Sequence, residues 1–201
     1  LGGFAGGGLG GLVIKDSGAL PHAVIVTCLA LVVFLVATRG LVTETSPTIR
    51  QKFRFAPPKS PVIYLVGLMA LFSMIPEGAV LDWAALYLKQ ELGAGIATAG
   101  FAFAAFSGTM ALTRFAGDAV RNRFGAVATL RISALVAATG MLVGGFAPSA
   151  WVAISAFAFA GFGIANMVPI AFSAAGNQPG LSPGVGLSTV TVMGYSGILL
   201  A

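Results

Sequence analysis

The chain has 201 residues, 57% of them hydrophobic and 8% charged, with a net charge of +5 and 28 glycines. Soluble domains carry roughly 25% charged residues and about 7% Gly, and a soluble surface exposes Lys, Glu, Arg and Asp almost by default. With a mean hydropathy of +0.96, the chain is therefore not an ordinary cytosolic enzyme, a nucleic-acid binder or a disordered segment.

The apolar runs are long and continuous rather than alternating every second residue. That pattern predicts an all-α, polytopic transmembrane helix bundle and not a β-barrel. A helical span takes about 20 apolar residues at roughly 1.5 Å each. Residues 1–14 read as the end of a span. They lack the basic flank of a signal peptide, and their glycines suit close helix contact. No Lys-Ser/Thr follows them, so they are not a phosphate loop. Residues 20–38 make a complete span that holds the single cysteine, Cys28. Arg39 to Ser60 is the one polar linker, with Arg39, Arg50, Lys52, Arg54, Lys59 and the pair Pro57-Pro58. Further spans cover 61–88, 96–113, 126–146 and 149–172, and 184–201 begins another.

The first residue is Leu and the last lies within an apolar stretch, so the expectation is a bundle incomplete at both ends. On that expectation, residues 1–38 end an N-terminal half-bundle, 39–60 form a central cytoplasmic linker, and 61–201 belong to a C-terminal half-bundle. When exits are numbered alternately, one side receives Arg39, Arg50, Lys52, Arg54, Lys59, Arg114, Arg121, Arg123 and Arg131. Only Lys15 and Lys89 fall on the other. Positive charge collects on the cytoplasmic side, which places the linker and the segment 114–125 there.

The basic segment reads Arg114-Phe-Ala-Gly117-Asp118-Ala-Val-Arg121-Asn122-Arg123-Phe124-Gly125. It resembles the cytoplasmic loop motif of the major facilitator superfamily, a glycine, then an acid, then Arg-x-Gly. The sequence departs from the motif in one respect: with Arg123-Phe124-Gly125 as its end, Asn122 occupies the acid position and Asp118 lies four residues earlier. Independently of the motif, Asp118 and Arg121 are three apart and can pair on one helical face. The stretch from Pro76 to Leu88 is similar to helix seven of the fucose-permease-like branch, including YbjJ-type inner membrane proteins. Asn166-Met-Val-Pro169 followed by Phe172-Ser-Ala-Ala-Gly176 is similar to helix ten of the same group. The resemblance implies an MFS-type fold, with this chain running from about helix five to helix eleven.

Glu77 and Asp82 are the acids within apolar runs. A charge at the bilayer centre costs about 2.5–3.5 kcal/mol on insertion scales, so each needs a role, a partner or water. Counted from Pro61, Glu77 lies roughly 24 Å and Asp82 roughly 31 Å along the helix. Asp82 then falls near the outer interface, with Trp83 and Tyr87 as aromatic-belt residues. Glu77 is deeper and follows Pro76, which frees backbone carbonyls to face a cavity. It is the first candidate for a substrate or proton site; a structural pairing or an outer gate is the other reading. Asn166 can hydrogen-bond a polar substrate or tie two helices together. Tyr195 shares a face with Thr191 at i, i+4 spacing and can line a cavity or anchor at the lipid interface.

A secondary transporter working by alternating access is the function expected, moving a small polar solute with proton coupling. The other class, a membrane enzyme or receptor subunit, should carry clusters of His, Asp and Glu or a Ser–Lys set within spans, and the sequence has none. One histidine, His22, and six acids give no metal site. No catalytic residue and no cofactor are expected. Expected partners are a small-molecule substrate, protons and membrane lipid but no nucleic acid, with the full-length chain working as a monomer in the bacterial inner membrane.

Overall fold

The structure, a computed structural model, describes residues 2–40 and 57–201. Residues 41–56, most of the expected linker, lie outside the described residues. Eight helices follow in order: α1 Gly2–Ser17, α2 Ala19–Arg39, α3 Pro61–Gln90, α4 Ile96–Phe124, α5 Ala126–Gly145, α6 Ala150–Ile164, α7 Met167–Gly176 and α8 Pro183–Leu199. The described residues contain no strand. Four of these helices (α2, α3, α4 and α5) and the stretch Ala150–Gly176 are long and apolar enough to cross a membrane. The chain is an all-α, multi-pass membrane protein.

Local sequence explains the boundaries. α3 and α8 start on Pro61 and Pro183, whose fixed φ suits the first helical position and whose missing N–H has no partner to lose there. α4 passes into α5 through Gly125 alone, at φ +79°, a left-handed conformation that favours glycine.

Two boundaries differ from the sequence expectation. The segment 114–124, expected as part of a cytoplasmic loop, is the continuous C-terminal part of α4. Its Ala and Arg residues are good helix formers, nothing in it interrupts the ladder, and the loop shrinks to Gly125. The span expected over 149–172 is broken at Ala165–Asn166 into α6 and α7. Pro169 causes the break, because it has no N–H for the Ala165 carbonyl four residues earlier.

The described residues fall into two compact units, the first containing α2 and the second containing α3 to α8. In the first, α2 has no buried residue. In the second, α3 packs on α4, α7 and α8, while α6 packs on α4 and α5. Large apolar side chains such as Phe72, Phe115, Leu135 and Phe146 are exposed, as lipid-facing residues are.

The buried residues of the second unit fall into two clusters. One joins Val80, Ala84 and Leu88 of α3 to Phe106 and Met110 of α4, Ala137 of α5, and Phe157 and Ile164 of α6. The other joins Ile63 and Ala70 of α3 to Ala171 and Ala175 of α7 and Val190 of α8. Two helical paths cross from one cluster to the other. On α3 the change falls between Ala70 and Val80, and on the other path it falls at the α6–α7 break.

Candidate functional site

Glu77 and Asn166 lie in these two changeover segments. Glu77 lies on α3 one residue after Pro76, and its side chain is 14% exposed. Arg114 lies on α4, about 15 Å from that helix's C-terminal end, and reaches across so that its Nη2 is 3.7 Å from Glu77 Oε1. At that distance the contact is a charge pair rather than a hydrogen bond. The second carboxylate oxygen, Oε2, is buried and has no hydrogen-bond partner among the described residues.

The same guanidinium makes a second contact. Its Nε donates to the Ala165 carbonyl at 3.4 Å. This is the carbonyl that Pro169 leaves without a helical donor, so the broken helix supplies an acceptor and α4 supplies the donor. Next to it, Asn166 is buried at 7% exposure. Asn166 packs on Gly117 of α4, where a Cβ would overlap its carboxamide oxygen. The absence of a side chain at 117 thus lets α4 approach the break closely.

The predicted site residues therefore separate. Arg114 ties Glu77 to the Ala165 carbonyl beside Asn166, and Gly117 of the motif segment packs on Asn166. Asp82 is exposed on α3, and Tyr195 is 54% exposed on α8; neither contacts Glu77, Arg114 or Asn166 by ion pair or hydrogen bond. Asp118 and Arg121 pair at 3.5 Å on the outside of α4, as their spacing predicts. Asn122 and Arg123 are exposed near its end, and Gly125 forms the turn. Tyr87 makes specific contacts between helices. Its hydroxyl donates to the Gly145 carbonyl at 3.1 Å, and its ring meets Phe157 edge-on at 6.3 Å, so it ties α3 to α5 and α6.

Arg114 is the residue that sequence reasoning placed elsewhere, among the loop cations. A depth argument finds it: an acid within a span needs a cation at similar depth. Arg114 is the cation nearest that depth once α4 is extended to Phe124.

Among the described residues, no group of three or more His, Cys, Asp and Glu side chains is placed to hold a metal ion. No known family model matches the chain, and no solved structure does. Curated relatives do. Over 99% of its length the chain is 31% identical to an uncharacterized MFS-type transporter of Yersinia pestis, of which it covers 52%. It is 35% identical over 138 residues to the membrane protein MosC of Rhizobium meliloti, covering 69% of this chain and 34% of that protein. It is 31% identical, over the same share of its length, to an uncharacterized transporter of Sinorhizobium fredii, of which it covers 37%. The chain thus spans about half the length of the first of these relatives and about a third of the other two. It is a multi-pass membrane protein similar to proteins named as transporters.

Proposed function

We propose that this chain is part of a major facilitator superfamily transporter of the bacterial inner membrane, and that its described bundle belongs to the C-terminal half. The whole protein moves a small polar solute by alternating access between two half-bundles, and Glu77 couples that movement to protons. The observation that carries this reading is the charge pair Glu77–Arg114, set where the two apolar clusters meet, beside a broken helix. An ionisable pair retained at membrane depth marks a solute or proton pathway more readily than a purely structural tie. The similarity to proteins named as transporters supports the same reading. Assignment to the fucose-permease-like branch rests on the segments around Glu77 and Asn166 alone.

The test uses the full-length protein in proteoliposomes, a panel of small polar solutes and a pH-sensitive dye inside the vesicles. One or more solutes should drive proton flux with the wild type. Glu77→Gln, which keeps size and polarity but cannot titrate, should insert normally and lose proton-driven accumulation while keeping solute exchange. Wild-type accumulation by that variant, with unchanged pH dependence, would leave the carboxylate a structural role only.

A further inference from the structure

Arg114 sits between two acceptors and is fully committed to neither. The carboxylate stands at 3.7 Å and the carbonyl at 3.4 Å, both longer than an ideal charge-assisted hydrogen bond. The two acceptors belong to different helical paths. Glu77 belongs to α3, and Ala165 lies in the two-residue joint between α6 and α7, followed by Asn166 at φ −99° and ψ −9°. The Ala165 carbonyl is available only because Pro169 cannot donate to it. Where a helix ladder is broken, the two halves can change their angle at little cost unless a third group holds the joint.

We infer that Arg114 is a positioning residue that latches the α6–α7 joint, and that the charge on Glu77 sets whether the latch is held. With Glu77 ionised, the guanidinium is drawn between α3 and the joint, and one planar fork serves both contacts. With Glu77 neutral, the charge attraction is gone. Arg114, already 46% exposed, turns away from α3, and the α6–α7 joint loses its tie to α4. This inference rests on the reading of Glu77 as the coupling acid and adds to it the element that responds.

Among the described residues, no other charged group pairs with Glu77. α6 and α7 carry no titratable side chain, α8 carries only Tyr195, and α5 carries only Arg131. On α4 the remaining charges are Asp118, Arg121 and Arg123, of which Asp118 and Arg121 pair with each other. On α3 itself the other titratable groups are Tyr64, Asp82, Tyr87 and Lys89. Among the described residues, Arg114 is the one cation within ion-pair distance of Glu77.

The experiment measures the distance between spin labels at Asn122→Cys and Gln178→Cys, in the full-length protein in nanodiscs without other reactive cysteines, across a pH series. The wild type should give a distance distribution that lengthens and broadens as pH falls. Glu77→Gln and Arg114→Gln should each give the long, broad distribution at every pH, and the double variant should equal either single one. Pro169→Ala supplies the missing N–H and closes the ladder, so its distribution should be narrow and independent of pH. This last arm holds even if Arg114→Gln fails to fold.

An Arg114→Gln or Pro169→Ala protein that keeps the wild-type pH response would overturn the latch, whatever transport shows. A pH-dependent distance that Glu77→Gln leaves intact would do so too. Loss of accumulation in Glu77→Gln without any change in these distances would keep the coupling role and discard the latch.

Discussion

The α5–α6 and α3–α8 seams of the bundle are packed differently. Between α5 and α6, Gly140 lies on the Ala160 main chain and Gly163 on the main chain of Ser133 and Ala137. Between α3 and α8 the packing is mixed. Gly197 lies on the Leu71 carbonyl, but two other glycine clefts are filled by methionine: Met193 covers Gly67, and Met74 covers Gly194. A main-chain atom cannot yield without moving a helix, whereas a thioether has three rotatable bonds and adapts. The α5–α6 seam is therefore stiff at Gly140 and Gly163, and the α3–α8 seam is compliant at Gly67 and Gly194.

The largest test of that contrast is Gly163→Ala. Its Cβ would press on main-chain atoms of Ser133 and Ala137. The cost should be about 1–3 kcal/mol, enough to overwhelm the gain in helix propensity. Thermal unfolding of the detergent-solubilised protein, followed by size exclusion, should show a drop of several degrees. An unchanged midpoint would mean that the α5–α6 contact is not stiff.

A comparable effect is expected at the Glu77–Arg114 pair. Arg114→Met leaves the 14%-exposed Glu77 carboxylate without its cation, while Glu77→Gln leaves a 46%-exposed guanidinium that still reaches the Ala165 carbonyl. Removing the partner of the more buried charge costs more. Arg114→Met should lose about 1–3 kcal/mol of stability and Glu77→Gln distinctly less. The reverse order in the same melting assay would contradict the geometry of the pair.

The smallest effect belongs to Gly67→Ala. The atoms nearest the new methyl belong to Met193, whose thioether end can swing aside, and alanine gains up to about 1 kcal/mol of helix propensity over glycine. The midpoint should stay near wild type. A fall as large as that of Gly163→Ala would erase the distinction between main-chain and methionine-filled clefts.

Much of the candidate site was legible before any coordinates. Glu77 stood out because an acid in an apolar run carries an insertion cost wherever it is read. Asn166 stood out because an amide between glycines and a proline is unusual within a span. The partner was not legible in the same way. Arg114 follows the apolar run 96–113 and precedes other cations, so charge counting assigned it to a loop, and only the continuation of α4 to Phe124 lifted it to the depth of Glu77. Pro169 was visible, but its effect falls on Ala165, and the donor that answers that effect comes from another helix.

The amino-acid sequence by itself determined that this is a membrane-spanning, all-helical chain, because the length and hydropathy of a run are properties of neighbouring residues and need no partner. It also determined where an acid would be costly. The tertiary structure decided which cation answers that acid, which carbonyl the cation shares, and why Gly117 lies against Asn166. These are contacts between residues from 37 to 51 positions apart. Such pairs depend on the relative depth and rotation of whole helices, which no local window of sequence contains.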